Sequence, residues 1–273
     1  MKKFEGILIC TDLDGTLLKN DKTVSKENLD AIEYFKSEGG LFTFVTGRMP
    51  SSVPNICKTV KPNAPFGCIN GGGVYDYDKQ EYLWYETLSP RAMEIVEYIE
   101  QRVDEIGYQV NTLDAIWFCR VNPAMERFRA LTGVPDLRCA YRDLKDPVAK
   151  VVFGDLDPSG ILRIQDLYYE HPLADRFEFI SSEKTLCEIL PKGVHKGLAL
   201  KKLCEILDIP REKTVAIGDY NNDVEMLRYA GVGVAVANAN DAAKAAADRI
   251  TVSNEEHAIA KIVSDIESGE IRL

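Results

Sequence analysis

Two carboxylates one residue apart close an apolar run in Ile9-Cys10-Thr11-Asp12-Leu13-Asp14-Gly15-Thr16. Like charges that close repel, and burying even one is costly unless something compensates it. A divalent cation does so, and Mg²⁺ takes hard oxygen ligands. Asp12, Asp14 and Asp219 are the candidate metal ligands, Asp14 through its backbone carbonyl. Such an ion offers a place for a phosphate oxygen. Asp12 is then the candidate nucleophile at phosphorus. Asp14 is the candidate acid that protonates the leaving oxygen and later activates water. Thr46 and the Gly47 N–H are expected to hold phosphate oxygens, and Lys196 to balance negative charge. Asn222 is expected to hold phosphate or orient a ligand. Asp223 is expected to stand behind them, fixing Lys196 or a metal-bound water.

These residues are far apart in the chain, so the elements that carry them must converge. Gly6–Cys10, Leu41–Val45, Phe66–Ile69, Thr214–Ile217 and Val232–Val236 read as buried strands. Helical patterns lie between them: Ser25–Lys36 before Gly39-Gly40, a stretch with Leu198, Leu203 and Leu207, and an alanine-rich stretch at Asp241–Ala247. Strand–helix alternation predicts an α/β fold with a parallel sheet. Ligands of open parallel sheets bind outside the carboxyl ends of the strands. Asp12, Thr46 and Asp219 each fall just after such a strand, so one sheet edge can gather them.

The middle of the chain follows another rule. Pro90–Ile106 reads as a long amphipathic helix. The strand-like runs Tyr108–Leu113 and Ala115–Cys119 are separated only by Asp114, which predicts a hairpin and not a βαβ crossover. Helices at Pro123–Leu131 and Pro158–Tyr169 and strands at Val148–Phe153, Phe177–Ser181 and Leu186–Leu190 complete an α+β insert of about 100 residues. The expected division is a core from 1–84 and 189–273, with an α+β domain over 85–188 inserted between its halves.

Asp-Leu-Asp-Gly-Thr at Asp12–Thr16, Thr-Gly-Arg at Thr46–Arg48, Lys196-Gly197 and Gly-Asp-Tyr-Asn-Asn-Asp at Gly218–Asp223 occur in this order. Together they resemble the four motifs of the haloacid dehalogenase-like hydrolases. The large insert between the second and third looks like the Cof-type sugar-phosphatase branch. The resemblance covers nearly the whole chain. It implies a Rossmann-like core with a mobile cap, Mg²⁺ as cofactor, and hydrolysis of a small phosphorylated metabolite through an aspartyl-phosphate. Within that family, an aspartate at position 14 points to phosphatase or phosphomutase chemistry. Two departures stand out: Asn70-Gly71-Gly72-Gly73 is glycine-richer than the usual pattern, and His195 replaces a small polar residue.

Composition narrows the field. The chain has 273 residues, 45% hydrophobic and 28% charged, an ordinary globular makeup with enough apolar material for one or two cores. A formal net charge of −10 argues against nucleic acid or an anionic membrane as partner. The N-terminus lacks a long apolar stretch and a cleavage site, which predicts no signal peptide. Seven scattered cysteines without a C-x-x-C pair fit reduced thiols of a cytoplasmic protein. Oligomeric state leaves no trace in the sequence.

Rival readings are a phosphomutase of the same fold, a receiver-like module that keeps a stable phospho-aspartate, and a retired binding protein. Gly154-Asp155-Leu156-Asp157 repeats the Asp-Leu-Asp pattern but runs into Pro158, so Asp157 reads as a helix cap. For Arg48, a phosphate neighbour and a plain surface charge stand side by side.

Overall fold

The computed structural model describes residues 2–273. The chain divides into two compact units, Met1–Tyr85 with His195–Leu273, and Glu86–Val194. The expected boundary at 188 falls inside a strand, Leu186–Pro191, that is paired within the second unit.

The first unit opens with β1 (Leu8–Thr11), α1 (Lys26–Ser37), β2 (Leu41–Phe44), α2 (Pro54–Val60), β3 (Phe66–Cys68), β4 (Gly73–Asp76) and β5 (Glu81–Tyr85). The second unit holds α3 (Ala92–Glu100), β6 (Gly107–Thr112), β7 (Ile116–Arg120), α4 (Pro123–Thr132), β8 (Leu137–Arg138), β9 (Val148–Gly154), α5 (Pro158–Glu170), β10 (Phe177–Glu183) and β11 (Leu186–Pro191). The chain then returns to the first unit through α6 (Lys196–Leu207), β12 (Thr214–Gly218), α7 (Val224–Tyr229), β13 (Val232–Ala235), α8 (Asp241–Ala246), β14 (Arg249–Ile250) and α9 (Ala258–Ser268). Among the described residues, no helix is long and apolar enough to cross a membrane.

The first unit is built on a parallel sheet in the order β14-β13-β12-β1-β2. Its central strands are largely apolar because both faces are covered: Leu8, Ile9, Cys10, Val215, Ala216 and Ile217 have no exposed surface. The order places β12 directly beside β1 although some 200 residues separate them in the chain. One expectation is corrected here. Phe66–Ile69 is not a further strand of the parallel sheet. It shortens to β3, which pairs antiparallel with β4 in the small sheet β3-β4-β5 and meets the parallel sheet through a bridge between Val45 and Gly67 and the stacked rings of Phe44 and Phe66. The physical reason is the left-handed backbone at Ile69 and Asn70, with φ of 57° and 52°. It reverses the chain at once and leaves no length for a crossover helix.

The second unit carries a six-stranded sheet in the order β10-β11-β9-β6-β7-β8, antiparallel except for the β7–β8 edge. The β6–β7 hairpin forms with Asn111 opposite Ile116. One face of the sheet packs on α3 and α5 around Ile95, Ile99, Val110, Val151, Phe153 and Ile164. Helix α3 ends at Glu100, six residues short of the predicted end. Val103 and Ile106 still enter the same core from the turn that follows. The apolar spacing is therefore kept where the helix is not. The α5 helix starts as the sequence predicts: the Asp157 side chain accepts from the Ser159 N–H at 2.9 Å, with Pro158 in the first turn.

Candidate active site

Strand β1 ends at Thr11, and its pairing runs on for one residue. The Asp12 N–H donates to the Ile217 carbonyl at 2.8 Å, and the Val45 N–H to the Thr11 carbonyl at 2.9 Å. Asp12 thus leaves the sheet between β12 and β2. Asp219 follows β12, and Thr46 follows Val45 at the end of β2. The predicted convergence at one sheet edge is what the strand order produces.

Lys196 begins α6, whose amino end is capped by His195: Nδ1 accepts from the Leu198 N–H at 3.2 Å. The Lys196 Nζ donates to Asp12 Oδ1 and to Asp223 Oδ1, each at 2.6 Å. Lys196 is 1% exposed, Asp12 6% and Asp223 0%, so these are buried ion pairs. Burial disfavours the ammonium, but the two carboxylates outweigh it and hold Lys196 above the ordinary lysine range. The other oxygen of Asp223 accepts from the Asp219 and Tyr220 N–H groups at 2.9 and 3.0 Å. Asp223 therefore pins both the lysine and the loop after β12.

Oxygen atoms of Asp12, Asp219 and Asp223 lie within 4.8 Å of one another. Burial pushes Asp12 upward, Lys196 opposes it, and the carboxylates of Asp223, Asp219 and Asp14 add to the rise. Burial and the Asp223 charge push Asp219 up to about 6. When all three are ionised, one ammonium faces three carboxylates, and burial together with their mutual repulsion is what raises Asp12 and Asp219. Hard oxygen donors in that arrangement suit a divalent cation of the Mg²⁺ kind. Asp12 and Asp219 are the donors best able to take it, because both oxygens of Asp223 are already engaged.

The Asp12–Thr16 loop is shaped to admit Asp219. Thr16 Oγ1 donates to Asp219 Oδ1 at 2.9 Å. Gly15 has φ of +84°, and a Cβ there would stand 2.6 Å from Asp219 Oδ2. Glycine is required twice over, by the left-handed backbone and by the close approach.

The Asp14 carboxylate lies outside this acidic cluster. It accepts from Arg48 Nε at 2.9 Å and Arg48 Nη2 at 2.8 Å, and from Lys22 Nζ at 2.8 Å. Burial alone would raise this carboxyl; the Arg48 and Lys22 contacts prevail and hold it below the usual carboxylate range. Arg48 is thus more than a plain surface charge: its guanidinium is paired with Asp14. It is the fork that holds Asp14. Lys22, at the far end of the same loop, carried no signal in the sequence.

Thr46 is buried, and its backbone N–H is spent on the Gly67 carbonyl at 3.0 Å. Its hydroxyl oxygen accepts from the Arg48 N–H at 3.2 Å, which leaves the hydroxyl proton free to point elsewhere. Asn70 joins this loop to the one after β12. Its N–H donates to the Thr46 carbonyl at 3.1 Å, and its Oδ1 accepts from Asn222 Nδ2 at 2.9 Å. The signal for it was the Asn-Gly-Gly-Gly stretch: a Cβ on Gly71, at φ +102°, would collide with the His195 carbonyl. That contact is with the backbone of residue 195, so it requires the glycine and is indifferent to the histidine side chain.

A family of haloacid dehalogenase-like hydrolases matches residues 9–263. The chain belongs to that family. The hydrolase is 30% identical to the 5-amino-6-(5-phospho-D-ribitylamino)uracil phosphatase YitU of Bacillus subtilis (strain 168), over 94% of this chain and 96% of the relative. It is 28% identical to the pyridoxal phosphate phosphatase YbhA of Escherichia coli (strain K12), over 94% of this chain and 97% of the relative. A solved haloacid dehalogenase-like hydrolase from Bacteroides thetaiotaomicron superposes with a TM-score of 0.83 at 25% identity, covering 95% of this chain and 99% of that one. The parallel core with an inserted α+β unit is thus the architecture of an enzyme family.

Proposed function

We propose that the hydrolase is a Mg²⁺-dependent phosphatase of a small phosphorylated metabolite, acting through an aspartyl-phosphate on Asp12. The observation that carries this is the acidic cluster around Asp12: three carboxylates, Asp12, Asp219 and Asp223, gathered around the single buried ammonium of Lys196. Asp12 and Asp219 would hold the ion, with the Asp14 carbonyl as a third donor. When bound, it supplies positive charge to the phosphate oxygens and to the carboxylates that face them.

The chain's own residues do the rest. The Asp12 carboxylate attacks phosphorus as the bond to the leaving oxygen breaks. That oxygen takes the proton of Asp14, and water later gives a proton to the Asp14 carboxylate as it attacks the acyl phosphate. The second half needs Asp14 ionised, the form that Arg48 and Lys22 stabilise. The first half needs it protonated, so one of those contacts must yield as the ester arrives. Lys196 favours the ionised form of Asp12 against burial and offsets charge on the transferring phosphoryl group. The Thr46 hydroxyl and the Gly47 N–H would bind phosphate oxygens, with Asn222 held in place by Asn70. Relatives named for phosphatase activity on a phosphoribityl compound and on pyridoxal phosphate support the substrate class.

Phosphate release from a panel of phosphorylated metabolites, with Mg²⁺ or chelator, tests this in wild type and Asp12→Asn. Turnover that needs Mg²⁺ and falls at least about 1,000-fold in the variant is expected. Near-normal turnover by Asp12→Asn would remove Asp12 as nucleophile. Isomerised ester without phosphate would move the chemistry to a mutase.

A further inference from the structure

The seven cysteines fall into two classes. Cys10, Cys57, Cys68, Cys187 and Cys204 are buried, whereas Cys119 and Cys139 are partly exposed. Both of these belong to the second unit. Cys119 stands on β7, and Cys139 directly follows β8. The two strands pair in parallel, with Trp117 opposite Leu137 and Phe118 opposite Arg138. Continued by one residue, that register sets Cys119 opposite Cys139. Side chains of directly opposed residues leave the same face of a sheet, so the two thiols are neighbours. They line one surface depression together with Phe118, Arg120 and Ala140.

Neighbouring strands lie about 4.8 Å apart, within the roughly 4.4–6.8 Å between Cα atoms that a disulfide spans. Each sulfur is held by a weak local bond: Cys119 Sγ donates to the Trp117 carbonyl at 3.6 Å and Cys139 Sγ to the Ala140 carbonyl at 3.3 Å. Strand β8 has two residues and forms the edge of its sheet, so it can shift to bring the sulfurs together. The two thiols differ in setting. Cys119 packs against the core beneath α3 and α5. Burial pushes its thiol up to about 12, and the neighbouring Cys139 adds to the rise. Cys139 lies at the exposed edge. Cys139 is therefore the sulfur placed to meet a reagent, and Cys119 the one placed to resolve the product.

We infer that Cys119 and Cys139 are a site of reversible oxidation, closing to a disulfide that staples the β8 edge of the second unit. The oxidant is a small-molecule disulfide of the glutathione class. Cys139 gives its proton to solvent, and its thiolate attacks one sulfur of the oxidant. The oxidant's S–S bond breaks, and one half leaves as a thiolate that takes a proton from solvent. The Cys119 thiolate then attacks Cys139 Sγ, and the other half leaves in the same way. Two protein thiols become one disulfide as one oxidant disulfide becomes two thiols. The second step is intramolecular, so proximity offsets the small thiolate fraction of Cys119. The bond closes a ring over residues 119–139 that contains α4 and β8. Helix α4 buries Ala124 and Met125 and little else, so the ring is lightly held without the bond. Cross-linking removes open states of such a segment. This inference stands apart from the phosphatase reading.

The test incubates the full-length protein, first reduced and freed of reductant, with oxidised glutathione. Remaining thiols are blocked, and the protein is digested with trypsin. Trypsin cuts after Arg102, Arg120, Arg138 and Arg142, so the bond joins peptide Val103–Arg120 to peptide Cys139–Arg142. That linked pair is expected as the main oxidised product in wild type. The other five cysteines should stay open to alkylation in denaturant, and excess reduced glutathione should restore all seven thiols. Cys119→Ala should stop at a glutathione adduct on Cys139. Cys139→Ala should react at Cys119 at least about tenfold more slowly than wild type closes its bond. Backbone amide exchange over Pro123–Arg138 should slow at least about threefold on oxidation of wild type. A link to a different cysteine, a wild-type adduct that never closes, no reaction at either thiol, or exchange unchanged by oxidation would each overturn the inference. The wild-type peptide map and exchange decide the matter even where a variant folds poorly.

Discussion

Asp219 is where the lone-standing charge of the site becomes measurable. Its carboxyl is raised to about 6 by burial and by Asp223. In the folded chain it holds its proton to higher pH than in the unfolded chain. Its contribution to stability is thus fully present at low pH and is lost as pH rises through about 6. A divalent cation bound there removes that cost, so Mg²⁺ should raise the melting temperature by several degrees at pH 7.5 and much less at pH 5. Thermal scans with MgCl₂ or chelator at the two pH values check this. An equal rise at both would mean that the ion binds elsewhere. Gly15→Ala tests the same residue from the other side. The added methyl meets Asp219 Oδ2, so the Mg²⁺ concentration for half activity should rise about tenfold or more. Strain at a positive φ should cost about 1–2 kcal/mol of stability, read by denaturant melts. Asp12, Asp14, Thr46, Lys196 and Asp219 could all be singled out from the sequence because each sits in a short motif next to a strand. Lys22 and Arg48 could not be given their place, since a salt bridge across a loop depends on side-chain reach that spacing does not encode.

At the scale of elements, the cap of α6 decides where Lys196 stands. His195 does this with a ring nitrogen, where an asparagine or serine would do it with a shorter side chain. His195→Asn should keep turnover within a few-fold and leave stability nearly unchanged. His195→Ala should cost about 1 kcal/mol and lower kcat more than it raises KM, because Lys196 loses its register against Asp12. Kinetics and melts of both variants decide it; equal behaviour would deny the cap any role in placing the lysine. Elements were legible where apolar period and cap agreed, as in α5 behind Asp157 and Pro158. They were misjudged where period alone was used. The apolar positions Val103 and Ile106 extended the predicted helix past Glu100, yet they reach the same core from a turn. The β4–β5 hairpin went unread because its faces are partly exposed and Tyr75, Tyr82 and Trp84 break the alternation.

For the molecule as a whole, Glu86–Val194 is one continuous segment with its own sheet and its own apolar core. Excised as a fragment of residues 86–194, it should melt cooperatively and show a mixed helix–strand circular dichroism spectrum. A fragment without a thermal transition would show that the inserted unit depends on the rest of the chain. The parallel order of the core and the presence of an insert were both legible, because strand–helix alternation stops at one point and resumes at another. The edge of the insert was less so, since β11 follows a hairpin and leads straight to Lys196 without a composition change.

The position of β1 between β2 and β12 has a consequence for how the protein is made. A ribosome delivers β1 and β2 early, but the strand that covers the other edge of β1 emerges only after the entire inserted unit has been synthesised. During that interval the nascent chain displays an apolar strand with unpaired backbone groups, the template on which unwanted strand pairing begins. The inserted unit, complete and contiguous, can fold in the meantime. The last third of the chain must then slot β12 into a gap held open since the first dozen residues.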